Sequence, residues 1–145
     1  MQISSVFENY EPDIIAHLRP TSPLRTLEML ENGINLLKEK PEADSVRAMC
    51  EPSQNPYKMW GIGKEGFAKP LILTDITEQY NQPRQNLPVV YWQNGYVDIT
   101  RNKTILGKNS MTGSRILPLI VDASHLIDID NELTFKMAEM LYQKM

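Results

Sequence analysis

The chain has 145 residues, 41% apolar and 23% charged, which suits one ordinary domain with a buried core and is too hydrophobic for a disordered chain. Its formal net charge of −3 argues against a duplex nucleic-acid binder, and no apolar run approaches the roughly 20 residues that span a bilayer. The single cysteine, Cys50, has no internal disulfide partner. No basic, apolar leader follows Met1, so the expectation is a cytoplasmic protein with neither a membrane nor a nucleic-acid partner.

Ile3, Val6, Phe7 and Tyr10 recur at helical spacing and predict a helix at the start. Ile14 to Leu18 reads as a short buried strand of the kind found in a parallel sheet covered on both faces, with His17 as a core histidine. Pro20 and Pro23 hold the following Arg19–Arg25 loop out of regular structure. A helix is predicted from about Thr26, its N-cap, to Lys40, with Leu27, Leu30, Ile34 and Leu37 as the buried stripe and Pro41 as the stop. Asp44 to Cys50 is a second strand, giving the rhythm of a βαβ sheet. From Glu51 to Pro88 the chain is rich in Pro, Gly, Asn and Gln, with only short apolar pieces such as Met59–Ile62 and Leu71–Leu73. That composition predicts an excursion from the main sheet that packs on a partner subunit or over a site. A strand near Val89–Thr100 broken by Asn94-Gly95, a short helix near Lys103–Leu106, a strand at Arg115–Val121 and a last helix with Leu133, Met137, Met140 and Leu141 on one face complete the chain.

Asp128-Ile129-Asp130 stands just before the last helix. In extended backbone, residues i and i+2 point the same way, so the two carboxylates could hold a divalent cation such as Mg²⁺. The plainer alternative is Asp130 capping the helix and Asp128 solvated. The loop carrying Arg19, Thr21, Ser22 and Arg25 follows a strand, where hydroxyls, backbone N–H groups and a helix N-terminus suit an anion, or else it is a proline-stiffened connection with surface arginines. Lys58, Lys64 and Arg84 are scattered cations, each by itself a solvated surface charge. His125 has no partner at zinc spacing.

Four segments together resemble the acylneuraminate cytidylyltransferase (CMP-sialic acid synthetase) family. Leu18-Arg19-Pro20-Thr21-Ser22-Pro23-Leu24-Arg25 is similar to its Leu-Gln-Pro-Thr-Ser-Pro-Leu-Arg. Asn55-Pro56-Tyr57-Lys58-Met59 resembles its Pro-x-Lys stretch, and Arg84-Gln85-Asn86-Leu87-Pro88 with Asn94-Gly95 its Arg-Gln-x-Leu-Pro and Asn-Gly. Asp128-Ile129-Asp130-Asn131-Glu132-Leu133 resembles Asp-Ile-Asp-Thr-Glu-Leu. Order and spacing agree over nearly the whole chain.

The resemblance implies an α/β, Rossmann-like nucleotide-diphospho-sugar transferase fold, truncated at the N-terminus, with a mostly parallel sheet and a small antiparallel dimerisation excursion at residues 51–95. It implies transfer of CMP from CTP to the anomeric hydroxyl of a nonulosonic acid in a homodimer. Asp128 and Asp130 would hold Mg²⁺ and act in catalysis with Lys58 and Arg84, while Arg19, Thr21, Ser22, Arg25, Gln85 and Asn94 would bind substrates. Three features depart from the family. No Ala-Arg-Gly-Gly-Ser-Lys-like phosphate loop is present, so a fragment of low or no activity is expected. Arg19 stands where Gln is usual and suits a carboxylate, and Tyr91-Trp92-Gln93 lacks the Arg that often precedes Asn-Gly. The alternative expectation is a non-catalytic paralogue that dimerises or binds a sugar acid.

Overall fold

The computed structural model describes residues 10–123 and 126–144; the expected helix over Ile3, Val6 and Phe7, and His125, lie outside the described residues. Two compact units form, one from the segments ending at Cys50 and beginning at Gln93, the other from Glu51–Trp92. The first contains β1 (Ile14–His17), α1 (Leu27–Glu39), β2 (Ser45–Cys50), β5 (Trp92–Arg101), α2 (Asn102–Lys108), β6 (Ile116–Ile120) and α3 (Glu132–Tyr142). The second contains β3 (Trp60–Ile62) and β4 (Ala68–Pro70).

The expected mostly parallel, Rossmann-like sheet does not form. The four-stranded sheet has the order β1-β5-β2-β6, and only β2 and β6 pair in parallel. β1 pairs antiparallel with β5, from Ile14↔Arg101 to His17↔Asp98. The Arg101 N–H donates to Asp44 O at 3.1 Å where β2 begins, so β5 runs against β2 as well. The strand-helix-strand rhythm implies that β1 and β2 are parallel neighbours, and they do not pair. It could not report that β5 enters between them in the opposite sense, because an apolar run encodes burial and not direction. β1 is consequently an edge strand, and His17 is exposed rather than in the core.

Helix α1 is capped by Thr26, whose Oγ1 accepts from Met29 N at 3.2 Å. Its inner face lays Leu37, Met29, Leu30 and Ile34 on Val46, Ala48, Val97 and Ile99 of the sheet, with Leu117 and Leu119 of β6 packed alongside. Leu27, expected in that stripe, is 69% exposed. Helix α3 also turns differently from its predicted face. Leu133, Met137 and Met140 are exposed; of the predicted face Leu141 packs inward, beside Ala138, which is buried with Leu24 and Ile127 in a second small cluster.

The sheet face opposite α1 is polar and is covered by the chain between α2 and β6. Alternation along β5 and β2 places Tyr96, Asp98, Thr100, Ser45 and Arg47 on this face. The Arg47 guanidinium donates to Thr100 Oγ1, Thr112 Oγ1 and the carbonyls of Val46 and Met111. Ser45 Oγ donates to Thr112 O at 2.6 Å, and Thr100 Oγ1 to Met111 O at 2.6 Å. The buried Asp44 carboxylate ties down both ends of the covering segment. It accepts from Lys108 Nζ at 2.7 and 2.8 Å, Ser114 N at 2.9 Å, Arg115 N at 3.1 Å and Thr104 Oγ1 at 3.3 Å. Gly113 passes so close that a Cβ there would collide with the Asp44 side chain.

In the second unit β3 and β4 form an antiparallel hairpin closed by Gly63 N to Phe67 O at 3.0 Å. Leu71–Leu73 lies just past it and is not a strand. Gln79 is buried and saturated: it accepts from Thr74 Oγ1 at 2.6 Å and donates to the carbonyls of Tyr57 and Ile72. Trp60 packs on Tyr80 with ring centroids 4.5 Å apart.

Lys108, with the Ser114 and Arg115 N–H groups, holds the Asp44 carboxyl well below the usual carboxylate range. In the unfolded chain an aspartate titrates near about 4. Its depressed folded value means that the stabilisation is complete above about pH 4 to 5 and is lost as pH falls below that. Urea midpoints measured from pH 7 to pH 2 should therefore fall steeply for the parent protein. Asp44→Asn should start lower at pH 7 and show a flatter acid limb; parallel curves would contradict the assignment.

Candidate functional site

The Arg19–Arg25 loop leaves the end of β1 and turns back at once, with Ser22 N donating to Arg19 O at 3.3 Å. Its return leg is held by Arg25, which donates through Nε to Tyr96 O at 2.9 Å and through Nη2 to Arg19 O. Burial lowers the Arg25 pKa, though a guanidinium remains charged throughout the physiological range. Arg25 thus serves as a clamp between the loop and β5.

The segment before α3 lies along the same loop. Ile129 N donates to Thr21 O at 2.8 Å. The Tyr96 phenol donates to Ile127 O at 3.0 Å and accepts from Ile127 N. Burial pushes the Tyr96 hydroxyl above its ordinary pKa, which keeps it neutral and able to do both. The backbone at Ile127 and Ile129 is in this way stitched to Tyr96 of β5 and to Thr21 of the loop.

Helix α3 starts one residue later than a cap by Asp130 would require. Asn131 is the N-cap, its Oδ1 accepting from Thr134 N at 3.0 Å. Thr134 Oγ1 accepts in return from Asn131 N at 3.1 Å and from Asp130 N at 3.0 Å. The reciprocal box leaves the Asp130 carboxylate out of the capping role. Asp130 is exposed, and Asp128 is half-buried with one carboxylate oxygen, Oδ1, enclosed and without a hydrogen-bond partner.

Three buried side-chain atoms among the described residues lack a partner: Ser22 Oγ, Asn94 Nδ2 and Asp128 Oδ1. All three belong to the loop, strand and extended segment just described. A buried polar atom without a partner costs about 1–3 kcal/mol, so each of the three is open to a water, an ion or a ligand atom. The test for a cation gives a qualified fit. Among the described residues there is no group of three or more His, Cys, Asp or Glu side chains able to hold a metal ion. Two carboxylates two residues apart, one with an unspent buried oxygen, suit Mg²⁺ only where waters and phosphate oxygens complete its shell.

Asn94 sits beside Gly95, which has φ +72° within the strand. The Arg19 guanidinium lies against Gly95, where a Cβ would be 2.8 Å from Cζ. Arg19 Nη2 donates to Asp98 at 3.4 Å, and Gln93 Nε2 donates to the other Asp98 oxygen at 3.3 Å. Asp98 in turn faces the buried Arg47 at 3.7 Å, and burial lowers the Arg47 pKa. Sequence reasoning missed Arg47, Gln93, Tyr96 and Asp98. The available signal was one charge of each sign inside two strands that are otherwise buried.

Arg19, Thr21, Ser22, Arg25, Asn94, Asp128 and Asp130 therefore all fall in the first unit. Lys58, Arg84 and Gln85 belong to the second. There Lys58 is exposed at the end of a 3₁₀ turn, and Arg84 donates to Glu51 at 3.1 Å and Pro52 O at 2.9 Å. Arg84 and Gln85 line a groove with Asn55, Leu87 and Val89. No helix among the described residues is long and apolar enough to cross a membrane. No family model matches the chain.

Gly95→Ala forces a side chain into the left-handed region, a cost of about 1–2 kcal/mol, and displaces Arg19. Chemical denaturation should register that loss. An unchanged midpoint would mean that neither the conformation nor the guanidinium contact is held as described.

Proposed function

We propose that the chain is a cytidylyltransferase of the acylneuraminate type, transferring CMP from CTP to the anomeric hydroxyl of a nonulosonic acid. The sugar oxygen forms a new bond to the α-phosphorus, the bond from that phosphorus to the bridging oxygen breaks, and pyrophosphate leaves. The hydroxyl proton passes to water. The observation that carries the reading is the hydrogen bond from Ile129 N to Thr21 O, which brings the Asp128–Asp130 segment against the Thr21–Ser22 loop. These are the two segments with the most specific sequence resemblance. The enclosed Asp128 oxygen supports it further.

Asp128 and Asp130 would hold Mg²⁺, which supplies Lewis-acid charge neutralisation and a template for the triphosphate. Thr21 and Ser22 would orient the substrates, and Asn94 would donate its unspent amide hydrogen. Arg25 would keep the loop in place through its two carbonyl contacts. Arg19 would meet the sugar carboxylate. Catalysis of this kind is mainly positioning and electrostatics. The test is CTP-dependent pyrophosphate release with Mg²⁺ and a panel of nonulosonic acids. Activity is expected with at least one sugar but weak, because no Ala-Arg-Gly-Gly-Ser-Lys-like phosphate loop is present, and Asp130→Ala should lower it at least about a hundredfold, as for removal of a principal charge-stabilising group. No release with any sugar would defeat the catalytic reading.

A second reading, a self-associating sugar-acid binder without catalysis, is favoured by the surface of Glu51–Trp92. Ile62, Phe67, Leu71, Leu73 and Val89 are each more than 60% exposed there. Such a density of apolar side chains suits a subunit contact. Both readings expect a homodimer. Sedimentation velocity should show one, and Phe67→Asp should shift it toward monomer; a monomer at all concentrations would remove this role from the second unit.

A further inference from the structure

Asp98 is an acid set into the sheet, its side chain only 8% exposed, between two arginines. Its partners stand at 3.4 Å (Arg19), 3.3 Å (Gln93) and 3.7 Å (Arg47), all at the long end of useful contact. Arg47 cannot come closer as a fork, because its terminal nitrogens are spent on Val46, Thr100, Met111 and Thr112. Arg47 is itself 4% exposed and needs a counter-charge to be buried at all. Asp98 supplies it. The charge of Arg19 is then surplus to the pair, and it sits on a side chain 44% exposed.

Arg19 is nevertheless oriented. One face of its guanidinium lies on Gly95, where a Cβ would be 2.8 Å from Cζ and Nη1 and 3.0 Å from Nε. Asp98 holds Nη2. A guanidinium carries five N–H donors in a rigid fork, and this arrangement uses one of them. A half-exposed arginine braced on Gly95 and Asp98, with one uncompensated charge and four N–H donors unspent, suits a single small anion, since part of the entropy of placing the side chain is already spent.

We infer that Asp98 is the positioning residue of an anion site at Arg19, with Arg47 as its buried counter-ion, and that the anion is the carboxylate of an acid sugar. The identity of the anion rests on the proposed function; the clamp does not. A phosphate oxygen edge has the same charge and a similar shape, so it forms the control arm.

The test is calorimetric titration of the intact chain with N-acetylneuraminate, its methyl ester and inorganic phosphate, with thermal unfolding in parallel. The parent protein should bind the acid roughly tenfold or more tightly than the ester, the worth of one charge-assisted contact. Arg19→Gln should abolish that preference. Asp98→Asn alone strands Arg47, so the double variant D98N/R47M, which removes both buried charges, is the decisive one. It should remain folded, at a lower unfolding temperature because Met111, Thr100 and Thr112 lose the Arg47 donors, and lose roughly tenfold in acid binding, with no further loss on adding R19Q, because the effect acts through Arg19. Asp98→Glu should retain most of the preference. A folded D98N/R47M with parent affinity, equal binding of acid and ester by the parent, or no binding of any probe would each overturn the inference. Phosphate binding more tightly than the acid would overturn the carboxylate assignment. Carboxylate preference without pyrophosphate release would defeat CMP transfer and leave the clamp standing.

Discussion

A charged arginine buried in the second strand of a small sheet sets terms for everything around it. Arg47 must find acceptors for its donors and an acid for its charge. It obtains the acceptors by drawing the segment between α2 and β6 across the sheet, through Met111 and Thr112. It obtains the acid from Asp98 on the neighbouring strand. The covering layer on that face is therefore not a helix with an apolar stripe but a loop whose place is fixed by hydrogen bonds, with Asp44 holding both ends. Such a layer is specific about geometry, because a shift of an ångström leaves buried polar groups without partners.

The two sheet faces accordingly do different work. The face under α1 is a conventional apolar contact around Leu37, Val46 and Ile99, and it supplies the burial a chain of this size requires. The polar face carries Tyr96 toward the segment before α3, Asp98 toward Arg19 of the loop after β1, and Thr100 toward Met111 of the covering segment. Chemistry-bearing residues collect on the side where the structure is already organised by directional bonds.

This division explains what could be read from the sequence. The Thr26 cap, α1, the positions of β2 and β6, and the turn-rich middle followed from local chemistry, since each depends on neighbours a few residues away. The Arg19–Arg25 and Asp128–Asp130 segments stand out through their resemblance to the family's motifs, since spacing alone leaves a proline-stiffened connection and a helix cap as the plainer readings. Sheet direction was not legible, because β5 inserts between β1 and β2 by a choice no local pattern records. The face of α3 was misread as well. Its reciprocal cap at Asn131 and Thr134 and the small Ala138, packed with Leu24 and Ile127, accompany a helix that turns Leu133 and Met137 outward. Arg47 and Asp98 were passed over because hydrophobic periodicity treats a charge in a buried strand as an interruption, when here it joins two strands.

The bond between Ile129 N and Thr21 O joins main chain to main chain. Neither side chain takes part, so a lineage carrying this architecture can exchange residue 129 for another apolar type, or residue 21 for another loop former, without changing the distance between the segments. Mutational drift would then fall on the reading residues of the loop and spare the frame that aligns them. A scaffold with its alignment written in backbone atoms can be retuned from one anionic ligand to another by single substitutions.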